Sequence, residues 1–333
     1  MTQRRIRVLV VDDSPAVCGA LRTLLAGPTV EVVGTSTSGE DAVGQAAALR
    51  PDVVTMDLTM PGVDGLASIE RIMLVAPTRV IVVTAAERTG AAAMRAIAAG
   101  ALEVVGKPAS WTGAAAAAWA RSLAETIALM ADVPVVTRRG GAVRPLVGRA
   151  VDAIGIAAST GGPPVLAEIL RPLRGRRFPP ILIAQHLGQG FTAGLVRWLG
   201  ELTGIPAMIA ASGRALEAGT LYFAPDLRDL VIEGGRLAAP PVAAVHQPCA
   251  DRTFASLAAA FGPRALGIVL TGMGEDGALG VRAIRDAGGM AIVQDPKTCL
   301  LAGMPSAALA QGADLVLDPQ GIAAGLYGLS RAV

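Results

Sequence analysis

Short runs of branched apolar residues alternate with longer segments of helical spacing across residues 6–108. Short apolar runs predict buried strands, and apolar positions three or four residues apart predict helices. Five such strand–helix pairs are typical of a doubly wound sheet of parallel strands. The sequence predicts strands at 6–11, 30–34, 53–56, 80–84 and 103–105, helices at 16–25, 41–49, 65–74 and 91–99, and a last helix at about 111–130.

A second pattern of this kind begins at Val151 and predicts another doubly wound, mostly parallel α/β domain. Between the two patterns, residues 132–149 are basic, contain glycine and lack helical periodicity, so we predict an interdomain linker there. The predicted domains are therefore 4–125 and 150–333. In the second domain the predicted strands are 151–158, 181–185, 207–209, 221–224, 230–233 with 236–239, 266–271, 290–294 and 315–317, and the predicted helices follow Pro163, Thr192, Thr253, Asp276 and Pro305.

Composition narrows the class of protein. The 333 residues suit two domains, and 52% apolar against 17% charged residues favours packed cores over disorder. A net charge of +2, without a basic stripe that includes aromatic residues, argues against nucleic-acid binding. Cys18, Cys249 and Cys299 are too scattered for a zinc site or a disulfide framework, which indicates a reducing compartment. The first apolar run is too short for a signal peptide and no run is long enough to span a bilayer, so we expect a cytoplasmic protein without membrane insertion.

Polar residues follow several strands of the first domain, and the carboxyl ends of parallel strands open on one edge of a sheet. Clustered carboxylates beside a lysine would hold a hard divalent ion, and a carboxylate there could accept a phosphoryl group. Taken singly, the aspartates after the first strand could merely cap a helix, and the lysine could lie in any exposed loop. The candidate residues are Asp12, Asp13, Asp57, Thr84 and Lys107.

These residues, with the segment Thr55-Met-Asp57-Leu-Thr-Met-Pro61-Gly-Val-Asp-Gly65, closely resemble the response-regulator receiver family over residues 4–125. The resemblance implies a flavodoxin-like fold, phosphorylation of Asp57 by a chemotaxis histidine kinase, and Mg²⁺ held by Asp12, Asp13 and Asp57. Thr84 and Lys107 would contact the phosphoryl oxygens. Receivers usually carry Phe or Tyr three residues before the lysine, as part of an aromatic switch, and this chain has Val104 there.

In the second domain, Ser159 and His186 each follow a predicted strand, and Asp276 lies in a glycine-rich loop after a third. A serine whose proton passes to an imidazole, with a carboxylate to orient that imidazole, is the arrangement of a hydrolase. Alternatives stay open at this point. The segment Ser159-Thr-Gly-Gly could be a phosphate loop, Glu275 could replace Asp276, and His246 could be the base.

The oxyanion that forms during acyl transfer also needs hydrogen-bond donors. The predicted helix near Pro163 offers backbone amides at Thr160, Gly161 and Gly162, since Pro163 and Pro164 have none to donate. The amide of Met273, in the facing glycine-rich loop, is a further candidate.

Several motifs of the second half are similar to the catalytic domain of the chemotaxis protein-glutamate methylesterases, over about residues 150–330. The resemblance maps that family's triad onto Ser159, His186 and Asp276, and an oxyanion amide onto Met273. It implies hydrolysis of γ-glutamyl methyl esters on the cytoplasmic helices of chemoreceptors, deamidation of certain receptor glutamines, and no metal at this site. Asp226 departs from the more usual glycine, and His246 replaces a position where the family is variable. The motifs are Gly155-Ile-Ala-Ala-Ser159-Thr-Gly-Gly-Pro163, Ala184-Gln-His186, Tyr222-Phe-Ala-Pro225, Asp251-Arg-Thr-Phe254, Leu270-Thr-Gly-Met-Gly-Glu-Asp276-Gly277 and 294–305.

Because both domains share one chain with a short linker, we predict that the receiver shields the catalytic cleft until Asp57 is phosphorylated. One alternative is the same chemistry in a chemosensory system outside motility. Another is a receiver-gated adaptor without catalysis. A receiver joined to a DNA-binding output is disfavoured, because the sequence lacks a basic recognition helix.

Overall fold

The chain divides into two compact units, residues 1–137 and 138–333. The predicted linker at 132–149, the predicted alternative base His246 and the motif residues 61–64 lie outside the described residues. No helix in the described part of the chain is long and apolar enough to cross a membrane. The computed structural model describes residues 5–60, 65–85, 90–131, 150–241 and 248–332.

The first unit is a five-stranded parallel sheet in the order β2-β1-β3-β4-β5. This order is that of the flavodoxin-like doubly wound sheet, and it confirms the predicted fold class. Every residue of β3 is buried, because helices cover both faces of a parallel sheet. The elements are β1 Ile6–Val11, α1 Pro15–Leu25, β2 Val30–Ser36, α2 Gly39–Leu49, β3 Val53–Met56, α3 Gly65–Val75, β4 Arg79–Thr84, α4 Gly90–Ala99, β5 Glu103–Gly106 and α5 Gly113–Ala131.

The second unit is built on a seven-stranded sheet in the order β15-β14-β13-β6-β8-β10-β9, in which every pairing is parallel. Two short antiparallel pairs, β11 with β12 and β7 with β16, lie outside it. The elements are β6 Ala153–Ala158, α6 Gly162–Leu170, β7 Arg176–Arg177, β8 Ile181–Gln185, α7 Thr192–Thr203, β9 Ala207–Ile209, β10 Leu221–Phe223, β11 Val231–Glu233, β12 Arg236–Ala238, α8 Ala250–Phe261, β13 Ala265–Val269, α9 Ala278–Asp286, β14 Met290–Gln294, α10 Gly303–Ala310, β15 Leu315–Leu317, α11 Pro319–Leu329 and β16 Arg331–Ala332.

Strand β6 occupies the position at which the winding of the second sheet reverses. The next strand of the sheet along the chain, β8, pairs with one side of β6, and β13 pairs with the other. Ligands of doubly wound sheets bind at the carboxyl ends of the strands beside such a reversal. The loops after β6, β8 and β13 meet at this edge, and they carry Ser159, His186 and Asp276.

Helix α8 packs against the sheet through Phe254, which is fully buried. Gly155 of β6 pairs with Gly267 of β13, and a Cβ at Gly155 would lie 2.8 Å from the Phe254 ring. A Cβ at Gly280 of α9 would lie 2.6 Å from Phe254 Cβ. The phenylalanine therefore fills a space that exists because three facing positions lack side chains, and the helix is held where its amino end meets the loop of Asp276.

Some predicted helix boundaries were wrong. Helix α8 begins at Ala250, before the predicted start at Thr253, and α10 begins at Gly303, before Pro305. Helix α11 was not predicted at all, although Asp318 caps it by accepting a hydrogen bond of 2.7 Å from the Gly321 nitrogen.

Candidate functional site

Ser159 is the first residue after β6, and its neighbours hold its backbone on both sides. The Ser159 nitrogen donates to the carbonyl of Thr271 at 3.1 Å. The Ser159 carbonyl accepts hydrogen bonds of 2.8 Å from the Gly162 nitrogen and 2.8 Å from the side-chain amide of Gln185. Ser159 itself is half-buried. Its hydroxyl therefore stands on a fixed backbone at the ligand-binding edge of the sheet.

The imidazole of His186 pairs with the carboxylate of Asp276. His186 Nε2 lies 2.8 Å from Asp276 Oδ2, whereas the neighbouring Glu275 is exposed. Of the two carboxylates that the sequence left open, Asp276 is thus the partner of the ring. A neutral histidine that donates from Nε2 to the carboxylate has Nδ1 as its acceptor, so Nδ1 is the atom that would take a serine proton.

The amino end of helix α8 also holds the carboxylate of Asp276. Oδ2 accepts a hydrogen bond of 2.8 Å from the Ala250 nitrogen, and Oδ1 accepts one of 3.0 Å from the Asp251 nitrogen. Burial alone would raise the pKa of Asp276, but the hydrogen bonds from His186 and these two amides outweigh it and lower the pKa below the ordinary value of 3.8. Asp276 is therefore ionised at neutral pH and suited to stabilise an imidazolium.

Ser159 and His186 leave adjacent parallel strands side by side, since the His186 nitrogen donates to the carbonyl of Ala158 at 2.9 Å. Within the described residues, however, no hydrogen bond joins the Ser159 hydroxyl to the imidazole. Catalytic hydrogen bonds are often long in structures without substrate and tighten when substrate binds. The structure thus brings the three predicted residues to one edge of the sheet, with the histidine–aspartate contact formed.

The two predicted oxyanion residues lie on loops that meet beside Ser159. Met273 is 57% exposed, in the loop between β13 and α9, and Thr160 follows Ser159 directly. The hydroxyl of Thr271 links the two loops, because it lies 3.1 Å from the carbonyl of Thr160. A Cβ at Gly272 would lie 2.8 Å from Ser159 Cβ, so only glycine allows the second loop to approach this closely.

Two buried glutamines at strand ends support these loops and were not predicted as site residues. Gln185, the last residue of β8, donates to the carbonyls of Ser159 and His186. Gln294, the last residue of β14, accepts a hydrogen bond of 2.9 Å from the Thr271 nitrogen. A long amide at the end of an otherwise apolar buried strand was a signal for both, because buried polar groups require partners.

Asp226, where the family resemblance led us to expect glycine, lies on the rim of the site. It accepts a hydrogen bond of 2.8 Å from the Gly190 nitrogen and another from the hydroxyl of Thr192. These contacts tie the loop after β10 to the loop that follows His186. Asp226 therefore fixes the position of the segment that follows His186.

The acidic cluster predicted in the first unit is present. Asp12, Asp13 and Asp57 each offer a carboxylate oxygen within 4.8 Å of the others, and Asp12 and Asp57 are buried. Lys107 Nζ lies 2.6 Å from Asp12 Oδ2 and 2.6 Å from Asp57 Oδ2. Three carboxylates at this spacing suit a hard divalent cation, which prefers oxygen ligands.

Burial and ion pairing shift the pKa values of Asp12 and Lys107. Burial raises the pKa of Asp12 above its ordinary value, although Lys107 acts against this rise. For Lys107, burial lowers the pKa, but hydrogen bonds to Asp12 and Asp57 outweigh it and raise the pKa overall. The hydroxyl of Thr84 is buried without a hydrogen-bond partner in the described part of the chain. Val104 is buried in β5, so no aromatic ring occupies that position.

The chain matches the family model of the CheB methylesterase over residues 154–326 and that of the response regulator receiver domain over residues 8–114. It is 47% identical to "Protein-glutamate methylesterase/protein-glutamine glutaminase 3" of Myxococcus xanthus (strain DK1622), over 96% of this chain and 91% of that protein. It is 40% identical to the similarly named protein 2 of Anaeromyxobacter dehalogenans (strain 2CP-C), over 98% of both chains. The crystal structure of the Thermotoga maritima CheB methylesterase catalytic domain is 29% identical with a TM-score of 0.51, covering 54% of this chain and 100% of that one.

Proposed function

Because this chain belongs to the CheB methylesterase family and carries a response-regulator receiver domain, we propose that it is a protein-glutamate methylesterase and protein-glutamine glutaminase acting on chemoreceptors. The observation that carries the proposal is the 2.8 Å contact between His186 Nε2 and Asp276 Oδ2 at the strand end next to Ser159. A buried, ionised carboxylate that is hydrogen-bonded to a histidine, with a serine nearby, is an arrangement suited to acyl transfer.

The reaction begins when Ser159 Oγ attacks the side-chain carbonyl of a receptor glutamate methyl ester or glutamine. The serine proton passes to His186, whose imidazolium Asp276 stabilises, and the carbonyl oxygen becomes an oxyanion. Backbone amides of Thr160 and Met273 donate to that oxyanion. As the tetrahedral intermediate collapses, His186 returns the proton to the leaving methoxide or amine, and methanol or ammonia departs. Water, activated by His186, then hydrolyses the acyl-serine and leaves a glutamate side chain.

The receiver domain regulates this reaction through Asp57. We propose that a chemotaxis histidine kinase donates a phosphoryl group to the Asp57 carboxylate and that the esterase activity then rises. Asp12, Asp13 and Asp57 would hold Mg²⁺, which supplies positive charge to neutralise phosphoryl oxygens. Lys107 adds a second positive charge. The hydroxyl of Thr84, which has no hydrogen-bond partner among the described residues, donates to a phosphoryl oxygen.

The cellular setting follows from the proposed substrate. Chemoreceptor glutamates that carry methyl esters lie on cytoplasmic helices, so we place the reaction in the cytoplasm. We assign residues 4–125 to the receiver domain, 132–149 to a linker and 150–333 to the esterase domain. The family matches at 8–114 and 154–326 support these boundaries.

Methanol release from a methylated chemoreceptor, measured with a small-molecule phosphodonor and Mg²⁺ present, tests the proposal. We expect release by the wild-type protein and none above background by Ser159→Ala, whose Tm should stay within a few degrees of wild type. A folded Ser159→Ala protein that still releases methanol would exclude Ser159 as the nucleophile. If the wild type releases no methanol but binds the receptor, the chain is an adaptor and the enzyme proposal is wrong.

A further inference from the structure

We propose that Gln185 is a positioning residue that sets the direction of the oxyanion-hole amide at Thr160, an inference that rests on the proposed esterase function. Gln185 ends β8, directly before His186, and only 5% of it is exposed. Its side-chain nitrogen donates to the Ser159 carbonyl at 2.8 Å and to the His186 carbonyl at 2.9 Å. One amide group therefore joins the backbones of the proposed nucleophile and base.

The chemistry of the two acceptors fixes the orientation of this side chain. Carbonyl oxygens can only accept, so the NH₂ end of the amide must face Ser159 and His186. The opposite atom, Oε1, is buried without a hydrogen-bond partner among the described residues. Among the described residues, Gln185 thus leaves one of its own polar atoms without a hydrogen bond, which is unfavourable for a buried acceptor. An unfavourable buried group of this kind is typical of a residue that serves function, so we infer that Gln185 has a role beyond stability.

The consequence for the oxyanion hole follows from peptide geometry. In a trans peptide the C=O and the following N–H point in opposite directions. Gln185 and the Gly162 nitrogen hold the Ser159 carbonyl from the protein side. The Thr160 N–H of the same peptide therefore faces away from Gln185. A flip of this peptide would break both hydrogen bonds that the Ser159 carbonyl accepts. Gln185 is the side chain that opposes such a flip.

The packing around Gln185 matches this role. A Cβ at Gly162, the first residue of α6, would lie 2.2 Å from Gln185 Oε1 and 2.8 Å from Ala158 Cβ. The amide group thus fits between the end of β6 and the start of α6 with no room for another atom. A glutamine in this space cannot rotate away, so its two donated hydrogen bonds are fixed by packing as well as by chemistry.

The test compares Gln185→Met, which keeps the length of the side chain and removes both donors, with Gln320→Met on the exposed surface of α11 as the matched control. Steady-state methanol release from methylated receptor, with a small-molecule phosphodonor and Mg²⁺ present, gives kcat and KM. Titration with a fluorophosphonate probe, with Ser159→Ala as the blank, counts the competent serines. We expect kcat per labelled serine to fall about 10²-fold in Gln185→Met, as for loss of an oxyanion donor, with KM within about twofold. Gln320→Met should match wild type.

Different outcomes test the role of Gln185 and the proposed esterase function. If wild type itself releases no methanol, the proposed function fails. If wild type is active and Gln185→Met keeps the wild-type kcat per labelled serine, the inference is overturned. This holds even if fewer serines are labelled in the variant, because Gln185 would then contribute to folding alone. A rise in KM at unchanged kcat would also overturn it, because the oxyanion forms only after substrate binds.

Discussion

Asp276 Oδ2 accepts a hydrogen bond of 2.8 Å from the backbone nitrogen of Ala250, the first residue of α8. The amino end of a helix carries free N–H groups and partial positive charge, both of which favour a carboxylate. Asp229, which is fully buried, accepts a hydrogen bond of 2.8 Å from the nitrogen of Cys249 and pairs with Arg252 of the same helix. The orientation of the proposed catalytic carboxylate thus depends on where α8 begins.

Replacing Asp276 by Asn should nearly abolish esterase activity. The amide keeps the shape but carries no charge, so it would neither fix the required histidine tautomer nor stabilise an imidazolium. We expect kcat to fall about 10⁴-fold, the size of effect seen when a triad aspartate becomes asparagine. Methanol release from methylated receptor measures this. Glu275→Gln, the adjacent exposed carboxylate, is the control and should retain wild-type kcat. Equal losses in both variants would contradict the assignment of Asp276.

Much of this arrangement was accessible from the sequence, because parallel strands are apolar and end at polar loops. The strands that carry Ser159 and His186 were predicted within two residues, and the edge they share follows from strand direction alone. The carboxylate was ambiguous from sequence, since Glu275 and Asp276 are neighbours and only the fold decides which one faces the ring. Local spacing carries no information about contacts between residues 26 or 90 positions apart, such as Gln185 with Ser159 or His186 with Asp276.

The start of α8 was also not predictable from local sequence. Its first residues, Ala250 and Asp251, resemble an exposed loop by composition, yet their nitrogens bind the Asp276 carboxylate. Helix α11, in contrast, had a local signal that was overlooked. Asp318 followed by Pro319 is a common helix start, because aspartate caps the free amides and proline suits the first turn.

Asp57→Asn should remove regulation without removing catalysis. Asparagine keeps the shape of the side chain but cannot form an aspartyl phosphate. We expect basal methanol release to match wild type, and the stimulation by a small-molecule phosphodonor with Mg²⁺ to disappear. Asp41→Asn, an exposed position in α2, should keep that stimulation. Stimulation that survives in Asp57→Asn would exclude this carboxylate as the phosphoacceptor.

The buried cysteines should be unreactive in the native protein and should make it less stable at alkaline pH. Burial raises the pKa of Cys249 to about 11 and of Cys299 to about 12, against an ordinary value of 9.0. Above pH 9 the unfolded chain loses thiol protons that the folded chain retains, so the free energy of unfolding falls as pH rises. Iodoacetamide at pH 8.5 should alkylate these thiols at least tenfold more slowly before denaturation than after it. Denaturant titrations from pH 8 to 10 measure this fall in the free energy of unfolding. The fall should be smaller in Cys249→Ser than in wild type. Rapid native alkylation would contradict the burial of these thiols.

Asp226→Ala should weaken substrate binding more than it slows the chemical step. The carboxylate holds the loop after His186 through the Gly190 nitrogen and the hydroxyl of Thr192. Hydrogen bonds to a charged group stabilise by about 1.5–3 kcal/mol, and partial exposure of this rim reduces the effect. We therefore expect a KM for methylated receptor about three- to tenfold higher, with kcat within about twofold. Asp286→Ala, which removes an exposed carboxylate 3.7 Å from Arg282, is the control and should leave both constants unchanged. A fall in kcat at constant KM would instead make Asp226 part of the chemical step.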